Sequence, residues 1–310
     1  MRRIFIICFT LGALILAGSS CKDPDLTPAY IYITAEDINN CVDISTFNAD
    51  HDLNYDNEQL ASLQQHSFSH VNVYVDNKNL GCWQVPCKVP VLGVNGVDSS
   101  KLVLIPCFRK TGMNNTIQGY PFFNILQQKV LLKRGETYLA SNNPPSFKYS
   151  SYSHFPYHET FANSSSFSPI DTSNNISFYP TIIDDRHVGE IVLNNADQSF
   201  DVISTPVTLP VYNYYVYLEI TYKTENNLDV GLKISTGNYS NTIHQLGGIY
   251  ASKGEWKTIY FDLSPVIMGY HNMSGSATSA NIVLTGAGNA DGTPTHFYID
   301  NIKIIYQPSA

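Results

Sequence analysis

The chain has 310 residues and a formal net charge of −8, and only 14% of its residues are charged. Its 21 tyrosines and 15 phenylalanines, together with many Asn, Gly and Pro residues, are typical of β-rich extracellular domains. The acidic balance disfavours nucleic acid as a partner, because nucleic-acid binding needs clustered cations that meet the phosphates.

The first 20 residues predict a secretory signal peptide that ends at a lipid-modified cysteine. Two arginines form a positive start, an apolar run follows over 4–17, and small residues over 18–20 lead to Cys21. The apolar run is much shorter than the ~20 residues of a membrane-spanning helix, so we expect cleavage and an acylated Cys21 at the mature N-terminus. Gly18 stands where lipoprotein signals usually carry leucine, and an ordinary secretory signal is the alternative.

Residues 21–27 predict a flexible tether, because Lys22-Asp23-Pro24-Asp25 is charged and contains proline. This stretch resembles the Lys/Asp-rich tract that follows the lipidated cysteine in surface-exposed lipoproteins of the Bacteroidota. The resemblance implies a lipid-anchored outer-membrane protein that faces outward from the cell. A solvated tether without sorting information is the alternative.

After Cys8 and Cys21, four cysteines remain: Cys41, Cys82, Cys87 and Cys107. An exported protein can keep disulfides, and four cysteines allow three pairings among which the sequence does not choose. Free buried thiols are equally compatible with this pattern. A zinc site at Cys82 and Cys87 is disfavoured, because their spacing is looser than that of zinc ligands.

Residues 28–140 predict a small β-sandwich. Alternating apolar residues predict strands over 29–34 and 70–76, and a return strand over 80–84 completes a β-hairpin. Further strands are expected over 101–106 and 128–133, whereas the polar stretch 36–67 predicts a long loop. The order of strand, Val-Tyr-Val-Asp (73–76), turn, Leu-Gly (80–81) and a Pro-rich step resembles PEGA-type immunoglobulin-like repeats. That resemblance implies a display or interaction module without catalytic residues.

Residues 141–157 lack periodicity and predict a linker, and residues 158–307 predict a second β domain. Short strands over 188–193, 214–223, 228–235, 256–263 and 281–285, with no helical run, favour a sandwich or jelly roll. An opening Glu-x-Phe (159–161), Val-Tyr-Leu-Glu (216–219), Gly-Glu-Trp-Lys-Thr-Ile-Tyr-Phe-Asp-Leu (254–263) and Phe-Tyr-Ile-Asp-Asn-Ile (297–302) resemble the galactose-binding-like jelly rolls of carbohydrate-binding modules. The whole chain is therefore predicted to be all-β, with an immunoglobulin-like sandwich followed by a jelly roll.

The strand 214–223 carries the predicted glycan face. Tyr215, Tyr217 and Glu219 alternate with Val216, Leu218 and Ile220, so rings and a carboxylate share one side of the strand. Such a face can stack on a sugar and bond its hydroxyl groups. Tyrosines on strands also serve as ordinary packing, and Trp256 has the same two interpretations, of which core packing is preferred.

Glu159 and Asp300 lie on the first and last strands of the predicted jelly roll. The resemblance implies that oxygen ligands at these places hold a structural calcium ion, and Ca²⁺ prefers carboxylate and carbonyl oxygens. The alternative is that both residues lie at strand ends in water.

No sequence motif asks for catalysis. Glu219 and Glu225 are separated by six residues of strand, which spans about 20 Å, whereas glycoside hydrolysis needs carboxylates about 5 to 9.5 Å apart. We therefore expect a non-catalytic binding module for glycans or for cell-surface adhesion. The alternatives are a structural or protein-binding subunit of an envelope complex and, third, a polysaccharide-degrading enzyme.

Overall fold

The computed structural model describes residues 27–113, 116–210, 214–236, 239–274 and 278–308. The predicted signal peptide, the lipidated Cys21 and all of the tether except Thr27 lie outside the described residues. Within these ranges, every helix is too short or too polar to cross a bilayer.

Strands make up most of the regular structure, as the composition predicts, and the all-β class is confirmed. The strands are β1 Ala29–Ile33, β2 His70–Val75, β3 Lys78–Gln84, β4 Cys87–Val91, β5 Ser100–Arg109, β6 Ile117–Gly119, β7 Gln127–Val130, β8 Thr137–Leu139, β9 His154–Glu159, β10 Phe167–Pro169, β11 Tyr179–Ile183, β12 Arg186–Leu193, β13 Ser199–Ser204, β14 Val207–Leu209, β15 Tyr214–Thr224, β16 Leu228–Thr236, β17 Tyr239–Ile249, β18 Lys257–Asp262, β19 Thr278–Ala287 and β20 Thr295–Pro308. The helices are α1 Glu36–Asn39, α2 Phe47–His51, α3 Asn57–Ser62 and α4 Ser264–Ser274.

The N-terminal part forms two sheets. A five-stranded sheet has the order β3-β2-β5-β6, with β7 also on β5, and a three-stranded sheet has the order β4-β1-β8. The predicted hairpin is confirmed, since β2 and β3 pair antiparallel from His70–Gln84 to Val75–Lys78. One face of β2, formed by Val71, Val73 and Val75, is buried in the apolar core between the two sheets. We call this unit the N-terminal sandwich.

The C-terminal part is a sandwich of two six-stranded sheets. The central sheet has the order β11-β12-β20-β15-β18, with β9 also on β20. The outer sheet has the order β10-β13-β19-β16-β17, with β14 also on β19. Apolar residues from the facing sides of both sheets form one core, as the alternation of apolar residues in these strands predicts.

The middle strands of the central sheet, β15 and β20, are buried on both faces. Val216, Leu218 and Ile220 of β15 point into the core between the two C-terminal sheets. Tyr217 lies on the opposite face and packs into the core of the N-terminal sandwich, together with Tyr260 of β18 and Ile305 of β20. The two sandwiches therefore share a packed apolar interface and are not separated by a flexible linker.

A buried ion pair lies in this interface. Lys303 Nζ is 3.0 Å from Glu219 Oε2, and neither side chain has solvent exposure. The two residues are direct neighbours across β15 and β20. Their alignment is poor for a hydrogen bond, so the attraction is electrostatic. Tyr120 of the N-terminal sandwich donates from its hydroxyl to Glu219 Oε1 at 2.6 Å, which ties the two sandwiches together.

Two segments differ from the sequence-based expectation. The stretch expected to be a linker, 141–157, contributes Phe147, Tyr149 and Phe155 to the shared core, and its last residues begin β9. The stretch expected to be a loop, 36–67, contains three short helices. In α3, Asp56 accepts from Gln59 N while the Gln59 side chain accepts from Asp56 N, so the helix starts with a capping box.

Helix α4 lies in the C-terminal part, where the sequence predicts no helix. Its start is fixed by Asp262, whose carboxylate accepts from Ser264 N, and Pro265 suits a first helical turn. Ile267 packs its side chain into the C-terminal core. The helix therefore depends on tertiary packing more than on a strong periodic pattern.

We predict that Lys303→Met lowers the free energy of unfolding by about 3 to 5 kcal/mol, because it leaves the Glu219 carboxylate buried without its cation. The double variant Glu219→Gln/Lys303→Met should recover part of this loss, since the amide removes the charge and still accepts from Tyr120. Urea unfolding of both variants measures the difference. Equal stability of the single and double variants would contradict the assignment of a charge-paired interface.

Candidate functional site

A groove runs along the line where the N-terminal sandwich meets the central sheet. Its largest section has a volume of about 350 Å³, within the range of small-molecule sites. We call it the tryptophan section, and its lining residues are Asn40, Gln64, Gln65, His66, Ser67, Arg186, Thr221, Trp256, Lys257 and Thr258. The first five come from the N-terminal part and the rest from the central sheet and the turn before it, so the site exists only because the two parts are packed together.

Trp256 is the aromatic side chain of this section. It is half-buried and follows a turn in which Gly254 has a φ of +83°, a conformation that favours glycine. Its indole Nε1 donates to Asp184 Oδ2 at 3.0 Å, and the guanidinium of Arg186 lies 5.1 Å from the ring centre. The indole is therefore held in one orientation at the wall of the groove.

Amide and hydroxyl groups surround the indole. Gln65 Oε1 accepts from Asn301 Nδ2 at 2.8 Å, and the Gln65 side chain also hydrogen-bonds to Asp300, so its amide is held in one orientation. Thr221 and Thr258 exchange a hydroxyl hydrogen bond of 2.9 Å across β15 and β18. Such neutral donors and acceptors, fixed by a sheet, match ligands that present many hydroxyl groups.

The groove continues on one side into an acidic section of about 220 Å³. It shares Gln65 and Arg186 with the tryptophan section, and its lining residues are Asn57, Glu58, Ala61, Ser62, Gln65, Thr160, Asp185, Arg186, His187 and Asp300. Two of its carboxylates have a basic partner: His187 Nε2 lies 2.9 Å from Glu58 Oε1, and Arg186 donates to Asp300 Oδ2 at 2.6 Å. Burial raises the pKa of Asp300, and the Arg186 guanidinium opposes that effect.

On the other side the groove continues into a basic section of about 200 Å³. It shares Ser67, Lys257 and Thr258 with the tryptophan section, and its lining residues are Ser67, Ser69, Arg109, Gly112, Tyr222, Lys257, Thr258, Ile259 and Tyr260. The three sections form one elongated feature, which we call the boundary groove.

Two histidines lie at the boundary groove: His66 lines its tryptophan section, and His158 contacts Ser62 of its acidic section. His66 bonds to the hydroxyls of Tyr149 and Tyr260, at 3.2 and 3.3 Å, and burial together with the Lys303 charge holds its pKa well below the ordinary value. His158 Nε2 lies 2.7 Å from Ser62 Oγ, and burial, aided by the Lys303 charge, lowers the pKa of His158 to about 3. Both imidazoles are therefore neutral at neutral pH.

The predicted glycan face on β15 is corrected by the structure. Tyr217 is 1% exposed and Glu219 is 0% exposed, while Tyr215 packs partly buried against the same N-terminal core. Tyr217 contacts the rings of Phe108 and Phe122. Rings and a carboxylate do share one strand face, but the N-terminal sandwich covers that face, so these side chains are not open to a ligand.

Glu159 and Asp300 lie on neighbouring strands, since Glu159 pairs with Ile302 of β20. Their carboxylates have separate partners: Glu159 accepts from the backbone N–H groups of Phe161 and Ser166, and Asp300 pairs with Arg186. Among the described residues, no group of three or more His, Cys, Asp or Glu side chains is arranged to hold a metal ion. The calcium site stays a prediction.

The four described cysteines are free thiols. Cys87 and Cys107 are buried, Cys41 is half-buried and Cys82 is exposed. Burial, and next the neighbouring Cys82, raises the pKa of Cys87 to about 11 and that of Cys107 to about 12. Of the two alternatives that the sequence allows, disulfides and free thiols, the structure has free thiols.

The sequence does not predict the boundary groove. Trp256, for which core packing is expected, lines the groove, and Gln64, Gln65 and Ser67, which also line it, lie in the stretch predicted to be a loop. The capping box at Asp56 was the local signal of order in that stretch. The contacts that join it to the central sheet are long-range, and no local pattern reveals them.

Comparison with known proteins gives matches among solved structures, whereas no family model and no curated protein matches the chain. The chain is similar to CBM29_1, a family 29 carbohydrate-binding module from Piromyces equi, with 15% identity and a TM-score of 0.31 over 51% of this chain and 91% of that one. It is also similar to a CBM29-2 variant complexed with cellulohexaose, with 10% identity and a TM-score of 0.29 over 52% of this chain and 95% of that one. These likenesses are too distant to assign a ligand to the boundary groove.

We predict that stability falls as the pH drops below 6.5, the ordinary histidine value, towards the folded-state value of about 3 for His158. The unfolded chain binds a proton that the folded imidazole does not bind, so each pH unit lowers the free energy of unfolding by up to about 1.4 kcal/mol per histidine. His158→Gln should flatten this slope between pH 6.5 and about 5, above the range in which most carboxylates titrate.

Urea unfolding at several pH values measures the slope. A wild-type slope in His158→Gln would show that this imidazole is not held neutral by the fold.

Proposed function

We propose that this protein is a lipid-anchored surface protein of the outer membrane that binds a glycan non-catalytically in the boundary groove. The observation that carries the proposal is the tryptophan section, where an indole held by Asp184 and Arg186 lies beside amide and hydroxyl side chains. An aromatic ring can stack on the apolar face of a sugar while neighbouring polar groups bond its hydroxyls.

The shape of the boundary groove supports an extended ligand. Gln65 and Arg186 connect the tryptophan section to the acidic section, and Ser67, Lys257 and Thr258 connect it to the basic section. The residues of the wall come from strands and from a segment anchored in the shared core. A preorganised wall lowers the entropic cost of binding a flexible chain molecule.

Binding without catalysis is supported by the partners of the acidic side chains. Glu58 pairs with His187 and Asp300 pairs with Arg186, so each is held by a base. A glycosidase needs one carboxyl group as an acid and a second as a base or nucleophile.

A second candidate function is docking of a protein partner on the central sheet. Strand β11 is at the end of the sheet order, and Ile182 and Tyr179 on it are 61% and 48% exposed. An edge strand offers unpaired backbone groups to an added strand. This function corresponds to an envelope-complex subunit and uses a surface other than the boundary groove.

We predict that Trp256→Ala weakens glycan binding by about tenfold or more, because loss of an aromatic anchor in a binding site costs about 2 kcal/mol. A glycan array with soluble protein starting at Lys22 identifies the ligand, and calorimetry with that ligand measures the change. Tyr250→Ala is the matched control, since Tyr250 is 80% exposed and does not line the groove.

Two results would contradict the groove assignment. One is a glycan ligand whose affinity is unchanged in Trp256→Ala while Tyr250→Ala abolishes binding. The other is failure of every glycan class to bind, and pull-down partners lost in Ile182→Asp would then favour docking at β11.

Anchoring is tested separately in living cells. We predict that the wild-type protein incorporates labelled palmitate, whereas Cys21→Ser does not, because the thiol is the acceptor of the lipid. Labelling of the Cys21→Ser protein would contradict the lipidation site. This result is independent of any ligand in the boundary groove.

A further inference from the structure

We propose that the basic section of the boundary groove binds an anionic substituent of the glycan, namely the carboxylate of a uronic acid or a sulfate ester. This inference rests on the proposed glycan-binding function and adds the chemical class of the ligand. The two groups share the chemistry that the site recognises, which is a negative charge spread over several oxygens.

Arg109 is the main reason for the proposal. It is the last residue of β5 and lines the basic section. Its Nε is buried and has no hydrogen-bond partner, and the guanidinium forms no ion pair with a carboxylate among the described residues. A buried N–H without an acceptor is energetically costly, and a planar oxyanion can satisfy an arginine with two parallel hydrogen bonds.

Three other cations of the protein differ from Arg109, because each forms an ion pair with a carboxylate. Arg186 pairs with Asp300, Lys110 pairs with Asp262, and Lys223 pairs with Asp184, at 2.6 to 2.9 Å. These three have an anion within the chain itself. The positive charge of Arg109 has no such carboxylate partner among the described residues, and Arg109 lines a cavity that a ligand can enter.

A second cation faces the same section. Lys257 is 42% exposed, and among the described residues its ion-pair partner is Glu255, whose carboxylate lies 3.5 Å away and is 75% exposed. Such an exposed pair contributes little, so the ammonium can turn to a ligand at small cost. No Asp or Glu lines the basic section among the described residues, whereas the acidic section has Glu58, Asp185 and Asp300.

Hydroxyl donors complete the section. Ser67 Oγ accepts from Thr258 N at 2.9 Å, which leaves its hydroxyl hydrogen free for an acceptor. Ser67 N donates to the Tyr260 hydroxyl at 3.1 Å, which fixes the serine in place. A charged fork, a mobile ammonium and a fixed hydroxyl together suit an oxyanion better than a neutral sugar.

The boundary groove therefore has a basic end and an acidic end, with the tryptophan section between them. An anionic substituent would lie at Arg109 and Lys257, the sugar next to it at Trp256, and the acidic section would repel a second anion. This arrangement predicts that one sugar residue of the ligand is charged and that its position in the chain sets the orientation.

The test compares short galactan oligosaccharides of equal length by calorimetry: one that carries a single uronic acid for carboxylate, one that carries a single sulfate ester, and the neutral, unsubstituted one. We expect the wild type to bind at least one charged probe more tightly than the neutral one. Arg109→Gln should weaken that charged probe by about tenfold or more and leave the neutral probe within about twofold. Lys257→Gln should act in the same direction with a smaller effect.

Lys129→Gln is the matched control, because it removes an exposed positive charge on β7 that does not line the groove. Thermal melting checks that each variant is folded, and Arg109→Lys tests whether the fork or only the charge is needed. In the wild type, raising the salt concentration from about 0.05 M to about 0.5 M should weaken the charged probe severalfold and spare the neutral one.

The outcomes separate this inference from the proposed function. Weaker binding of a charged probe by Arg109→Gln supports the anionic site. The probe that loses affinity identifies the anionic substituent as a carboxylate or a sulfate ester. Equal binding of charged and neutral probes, or equal weakening of both by Arg109→Gln, overturns the anionic site but leaves glycan binding intact. Failure of all glycans to bind the wild type overturns both.

Discussion

Glu219 and Lys303 face each other without any solvent exposure, and this pair lies between two sandwiches that must stay together. Taking two charges out of water is costly, and the cost is offset only when each charge keeps its partner. Tyr120 reaches the carboxylate from the N-terminal sandwich, so separating the sandwiches would expose Tyr217 and Tyr260 to water and remove a donor from a buried charge. The interface therefore favours one fixed arrangement of the two parts.

That fixed arrangement explains where a ligand can bind. The face of the central sheet that carries aromatic and acidic residues is used for packing, so the accessible surface is the edge of the contact and not its middle. Ser67 meets Thr258 there, and Gln65 meets Asn301. Each bond joins one sandwich to the other, and the groove walls take their precision from the same interface.

Local patterns predicted the parts of the chain that obey local rules. Alternation along Val216, Leu218 and Ile220 identified a strand with one core face, and the pairing of β2 and β3 followed from a turn between two apolar runs. What the sequence could not supply was the second layer over the central sheet. Tyr217 on a strand has the same pattern whether its ring faces a sugar, water or another domain, because periodicity records alternation and not what covers each face.

The central claim is that one glycan contacts both sandwiches at once, and hydrogen exchange with mass spectrometry tests it most directly. The measurement compares backbone exchange with and without a saturating array-derived glycan. We expect slower exchange in both 64–67 and 256–258, which line the tryptophan section from the N-terminal sandwich and from the C-terminal part, respectively. Protection of only one of these two segments, or of neither, would contradict it.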